Sequence, residues 1–253
     1  MSFRLLPELI SYESWEGKLQ AEFNEEIFND RFHAGKYMAA KVRRILEQEN
    51  WLKPGNTVVV ALLSGGVPVG SEVARSLSCP LDIRACKKIC CVENTDVAIG
   101  AVSSGGAVIL DNEIIQMLRY RPQYVEAERA RLLAATKSEE QRIIDKAGYE
   151  RPDLSGKCVV VVDDGVATGK TATAALWSLR KENVAQLVMA TPVIASDVSN
   201  RIANECDRLI ALFTPRHLVS VSLYYHDYSA FSEDDVVKTL RQFNQSRLPQ
   251  QAL

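Results

Sequence analysis

Residues 158–171 read Cys-Val-Val-Val-Val-Asp-Asp-Gly-Val-Ala-Thr-Gly-Lys-Thr. The first five are apolar and mostly β-branched, with no polar residue at alternate positions. They predict a strand buried on both faces, as in a parallel sheet. Two carboxylates, Asp163 and Asp164, end that strand, and small residues then turn the chain into a helix over Thr171–Lys181. A second run of the same kind, Thr57–Leu63, ends at Ser64-Gly65-Gly66 ahead of a helix over Val67–Ser78. Leu81–Cys86, Leu187–Ile194 and Arg208–Phe213 read as further strands, with a helix over Ser196–Glu205 between the last two. Strands alternating with helices predict an α/β fold, a doubly wound, mainly parallel sheet.

Around this frame, Phe28 to Asn50 reads as a helix that Lys53-Pro-Gly-Asn56 ends, and Lys87 to Thr95 reads as polar and irregular. Val97–Leu110 suggests a hairpin turning at Ser103–Gly106. Asn112 to Lys146 is a charged, helix-favouring stretch interrupted at Arg121-Pro122. The organisation expected is an N-terminal extension (1–27), one domain (28–240) with a helical insertion (112–147), and a C-terminal tail (241–253).

Composition excludes several classes. The 253 residues are 47% hydrophobic and 25% charged, with a formal net charge of −2. That balance offers no electrostatic case for a nucleic acid or a membrane surface as partner. The six cysteines form no C-x-x-C and no zinc spacing, which suits reduced thiols in a cytoplasmic protein. The first residues lack the basic and apolar regions of a signal peptide, and no apolar run is long enough to span a membrane.

The loop after the central strand is not a G-x-x-x-x-G-K-[ST] nucleotide-triphosphate loop. Gly165 and Gly169 enclose only three residues, and Asp164 stands where that motif has its first glycine. What remains is a phosphate cradle. The amides of Ala167, Thr168, Gly169, Lys170 and Thr171 meet the start of a helix, where N–H groups and the dipole favour an anion. Carboxylates beside a cradle repel a bare phosphate but accept from the vicinal hydroxyls of a sugar phosphate.

Two acids, a small spacer and T-G-x-T resemble the signature of the type I phosphoribosyltransferases. The resemblance extends to a branch with unknown acceptor through Phe28-Asn-Asp-Arg31, Gly65-Gly-Val-Pro-Val69, Ala98-Ile-Gly-Ala-Val102 and Tyr225-His-Asp-Tyr228. It implies that Asp163 and Asp164 take the ribose diol of phosphoribosyl pyrophosphate, and that residues 167–171 take its 5-phosphate. It also implies that Ser64, Gly65 and Gly66 form the pyrophosphate loop, which in the family commonly holds a strained peptide bond. Mg2+ would bridge diol and pyrophosphate, reached by Asp163 or Asp164 through water. A hood for the acceptor would be built from the N-terminal helix and residues 214–240, and the insertion would cover the site or pair subunits of a homo-oligomer.

Ser64 replaces the arginine that the branch carries in this loop, and Lys87 and Lys88 stand as candidates for the missing charge on the leaving group. Ala167 occupies the place where 6-oxopurine enzymes carry an aspartate that acts on the base. The three histidines, His33, His217 and His226, read as surface or structural residues rather than general bases. The reading is therefore a phosphoribosyltransferase that displaces pyrophosphate with an unidentified nucleophile. A non-catalytic sensor of phosphoribosyl pyrophosphate or a nucleotide, acting through a partner, is the alternative, and an activity on ribose phosphates a third.

Overall fold

The computed structural model describes residues 28–91 and 97–247, so the expected extension over 1–27 lies outside the described residues. In chain order the first elements are α1 (Arg31–Gln48), β1 (Thr57–Leu62), α2 (Gly66–Leu77), β2 (Leu81–Arg84) and β3 (Cys86–Cys90). Next come β4 (Ala98–Ser103), β5 (Val108–Leu110), α3 (Asn112–Met117), α4 (Pro122–Ala147) and β6 (Cys158–Val162). The chain continues through α5 (Lys170–Arg180), β7 (Gln186–Val193), α6 (Ser196–Ala203), β8 (Arg208–Phe213), a 3-10 turn at Val221–Tyr224 and α7 (Glu233–Arg247).

Five strands form a sheet in the order β2-β1-β6-β7-β8, and every neighbouring pair is parallel. Alternation along the strands divides the core into two layers. Val59, Ala61, Val160 and Val162 face α1, α2, α7 and the C-terminal end of α4. Val58, Val60, Val159 and Val161 face α5 and α6. All residues of β1 and β6 are buried because helices cover both faces, which explains their unbroken apolar runs. The fold is therefore a doubly wound, parallel α/β sheet. The order reverses between β1 and β6, and ligands of such sheets bind at the carboxyl ends of strands at that point.

A second, antiparallel sheet (β3-β4-β5) stands beside the first. It corrects two expectations. Leu81–Cys86 is not one strand: at Ala85 the backbone N–H leaves the sheet and donates to Glu140 Oε2 at 2.7 Å, and the chain changes sheets. Cys86–Cys90 is a strand rather than irregular, because its pairing with β4 buries Ile89 while Lys88 stays exposed. The expected hairpin is present as β4 and β5.

The charged stretch 112–147 forms two helices that part at Arg121-Pro122. Val125 and Leu132 of α4 pack on the small sheet, whereas Ile143, Ile144 and Ala147 join the main core. The segment before α1 pairs with the chain after β8: Phe28 bridges Tyr225, and the N–H of Asp227 donates to the carbonyl of Asn29. Asp30 caps α1 by accepting from the His33 N–H at 2.7 Å, which is why the helix starts at Arg31 rather than Phe28.

Candidate functional site

The loops that follow β1 and β6 touch at the carboxyl edge of the sheet. A Cβ on Gly66 would lie 2.5 Å from the carbonyl oxygen of Val162, and one on Gly65 would lie 2.1 Å from Asp164 Oδ2. Side chains at 65 and 66 would therefore force the loops apart. Gly65 has an ordinary helical φ of −64°, so its requirement is space and not backbone freedom. The Leu63–Ser64 peptide is cis, and Ser64 is exposed at the tip.

The loop after β6 is anchored from behind and open in front. Val166 pairs with β7 through its N–H to the carbonyl of Val193, and Arg201 Nη2 of α6 donates to the carbonyl of Thr168 at 2.6 Å. Gly169 then turns into α5 with φ of +73°, a conformation that favours glycine. Ala167 and Thr168 are exposed, Lys170 and Thr171 half-buried. The first amides of α5 have no acceptor within the helix, so the open side of this loop presents donors to an anion. Lys170 Nζ is held 3.0 Å from Asp111, which sits just ahead of α3.

The two acids have unlike surroundings. Asp164 is 7% exposed, and its Oδ2 accepts from Arg31 Nε at 2.6 Å. Arg31 in turn donates to the carbonyl of Ser229 at 2.9 Å and lies 3.9 Å over the ring of Tyr228. The Tyr225 hydroxyl donates to the backbone carbonyl of Asp164 at 2.6 Å. Asp163 is half-buried and accepts from the N–H of Asp164 at 3.0 Å. Burial, reinforced by the charge of Asp164, raises the Asp163 carboxyl well above the usual range. Burial also pushes the Cys86 thiol up to about 12, so it is a neutral thiol and no nucleophile at neutral pH.

Residues 29–209 match the phosphoribosyl transferase domain. The chain belongs to that family. Two curated relatives from Mycobacterium tuberculosis, strains CDC 1551 and H37Rv, each bear the name "putative phosphoribosyl transferase" and are 30% identical over 215 residues. The match covers 85% of this chain and 46% of theirs, so the chain spans about half the length of these relatives. The crystal structure of TT1426 from Thermus thermophilus is 32% identical, with a TM-score of 0.67 over 85% of this chain and 98% of that one.

In this phosphoribosyl transferase domain the structure gathers Ser64, Gly65, Gly66, Asp163 and Asp164 at one edge, with residues 167–171 beside them. Lys87 and Lys88 fall on β3 of the small sheet, where Lys87 Nζ is 2.7 Å from Glu139 of α4 and Lys88 is exposed. The residues that sequence reasoning left without a role are Arg31, Tyr225 and Tyr228. Their motifs, Phe28-Asn-Asp-Arg31 and Tyr225-His-Asp-Tyr228, were visible, but nothing local says that both enclose Asp164.

Next to the cradle an open cavity of about 290 Å³ is lined by Ala167, Ala195, Asp197, Arg216, His217 and the apolar pair at 218–219. Among the described residues no cluster of three or more metal-ligating side chains occurs, and no helix is long and apolar enough to cross a membrane.

Proposed function

We propose that this domain is a phosphoribosyltransferase that moves the ribose 5-phosphate of phosphoribosyl pyrophosphate to a nucleophile and releases pyrophosphate. The supporting observation is the contact between the loops after β1 and β6 at the switch point of the sheet, with Asp164 lying on Gly65. A ligand spanning both loops is phosphorylated at two ends, with a diol between them.

In this reading residues 167–171 hold the 5-phosphate, the acidic edge at Asp163 and Asp164 meets the diol, and Ser64, Gly65 and Gly66 offer backbone donors to the pyrophosphate. The C1–oxygen bond breaks with its electron pair leaving on pyrophosphate. The lone pair of the nucleophile closes on C1 through an oxocarbenium-like state, and the proton of the nucleophile passes to solvent or to a base. The protein mainly orients the partners. The cavity beside Ala167 is the place for the acceptor.

A half-buried carboxylate at a strand end, with no cage around it, suits Mg2+, which keeps most of its waters and binds chiefly through substrate phosphates. Asp163 would hold it through water, and the ion would neutralise charge on the pyrophosphate. For the leaving group, Lys88 is the freer of the two candidate lysines, since Lys87 is paired with Glu139.

Pyrophosphate release from phosphoribosyl pyrophosphate, measured against a panel of bases and amines, tests the reading. Release that Asp163→Asn abolishes supports it. A non-catalytic sensor acting through a partner is favoured by Ser64 standing where the branch carries arginine, and binding without release across the panel would select it.

A further inference from the structure

We infer that the acceptor is a compact ring compound bearing both a carboxylate and an N–H donor, gripped by Arg216 and Asp197. The inference deepens the reading above and rests on it. Three observations carry it.

The first is placement. Backbone bonds tie the chain after β6, β7 and β8 side by side. The Val166 carbonyl accepts from the Ala195 N–H at 3.0 Å, and the Pro215 carbonyl from the Ser196 N–H at 3.0 Å. Asp197, in the first turn of α6, and Arg216, just beyond β8, therefore flank the cavity that begins at Ala167 of the cradle. The frame holds both before any acceptor arrives, so binding costs little reorganisation.

The second is opposite charge left unspent. Asp197 and Arg216 are exposed and line one cavity, yet no ion pair joins them, and among the described residues neither has another side-chain partner. Charges nearby are committed: Arg201 donates to the Thr168 carbonyl at 2.6 Å, and Arg180 lies 3.0 Å from Asp207. A guanidinium presents a fork that matches a carboxylate, and a carboxylate accepts from an N–H. A ligand with both groups satisfies both walls. Arg216 also offsets the repulsion between an acceptor carboxylate and a phosphate in the adjoining cradle.

The third is size and the surface between the charges. The cavity of about 290 Å³ lies at the lower end of small-molecule sites and suits one or two rings. Ala167 and Ala195 put only methyl groups into it, which leaves room for a flat body. Val219 lines it while 86% exposed, and a ring lying on that side chain removes apolar surface from water.

The test uses the full chain with ribose 5-phosphate and Mg2+, at about pH 8 so that imidazole is neutral. Ring acids and their uncharged counterparts are titrated calorimetrically, among them imidazole-4-carboxylate against imidazole and 2-aminobenzoate against aniline. Adenine and uracil serve as neutral bases. Each acid should bind about 10-fold or more tighter than its counterpart, the scale of a charge-assisted hydrogen bond. Arg216→Gln should erase that preference and Arg216→Lys restore part of it, while Asp197→Ala should weaken both members of a pair by about 3-fold or more. The acids should also release pyrophosphate from phosphoribosyl pyrophosphate faster than their counterparts do. Equal affinities within the pairs, a preference that Arg216→Gln leaves intact, or release with adenine or uracil but not with the acids overturns the inference. So does binding of the acids without release, which makes them ligands and not acceptors. If phosphoribosyl pyrophosphate itself fails to bind the unaltered chain, the functional reading fails instead.

Discussion

The hydroxyl of Tyr225 donates to the backbone carbonyl of Asp164 at 2.6 Å, across 61 residues of chain. The bond is buried and ties the segment after β8 to the acidic edge of the central strand. Burial pushes the phenol well above its usual range, helped by the nearby Asp164, so it stays a donor at any physiological pH. Tyr225→Phe removes that donor and leaves a buried carbonyl without it. A loss of about 1–3 kcal/mol in urea unfolding is expected, and an unchanged midpoint would mean that water replaces the hydroxyl.

Gly65→Ala places a methyl 2.1 Å from Asp164 Oδ2. The backbone at this position suits alanine, so any cost comes from displacing Asp164 or the loop. We expect destabilisation of about 1–3 kcal/mol, the scale of overpacking. A selective loss of phosphoribosyl pyrophosphate affinity by calorimetry should accompany it. Wild-type stability and affinity together would refute the contact.

Arg151 joins two buried carboxylates. It donates to Asp82 at 2.8 Å and to Glu140 at 2.6 Å, and Tyr149 adds a bond to Asp82 at 3.0 Å. Glu140 belongs to α4 and Asp82 to the edge strand β2, so the arginine fastens the helix to the sheet. Arg151→Met leaves both acids without their cation. An unfolding cost of about 3–5 kcal/mol follows, with the ratio of affinities for the two sugar phosphates unaltered.

Asp111 pairs with Lys170, one of the residues proposed to hold the 5-phosphate. The pair is 3.0 Å apart, and Asp111 also caps α3 by accepting from the Ile114 N–H. Asn is an equally good cap. Asp111→Asn should therefore keep α3 intact while freeing the ammonium, tightening ribose 5-phosphate by about 2–5-fold. Weaker binding on titration would show that Asp111 positions Lys170 rather than restraining it.

Glu233 gives a pH signature. Hydrogen bonds from Arg142 and Lys146 of α4 pull its carboxyl from 4.5 down to about 2. A depressed acid stabilises the folded state fully above its unfolded value, and that contribution disappears as pH falls from about 4.5 to about 2. The network is solvent-screened, so its size is at most about 1 kcal/mol. Glu233→Gln should be less stable than wild type at pH 7 by that amount and equal to it near pH 2, as read from thermal unfolding.

The central strands and the glycine turn after β6 were legible because both are local. An apolar β-branched run without alternation has only the interior of a covered sheet to go to, and Gly169 at φ of +73° is the turn its type allows. Lys87 shows the other case. Its sequence context suggests a free charge, yet the fold sets it against Glu139, some 50 residues later. The strand Cys86–Cys90 was likewise hidden, since two lysines obscure its pattern and only β4 gives it a face to bury.

The layered sheet, the two glycine-bearing loops at its carboxyl edge and the identity of the acids follow from local sequence alone. Period, turn chemistry and burial preference act within a few residues, so they can be read from a short window. Long-range packing makes Asp163 and Asp164, adjacent in the chain, differ: one stands half-buried at the edge, the other is locked by Arg31 and Tyr225. Those partners lie 133 and 61 residues away. Packing of α1 and the chain after β8 on the same end of the sheet brings them together, and no local pattern encodes that meeting.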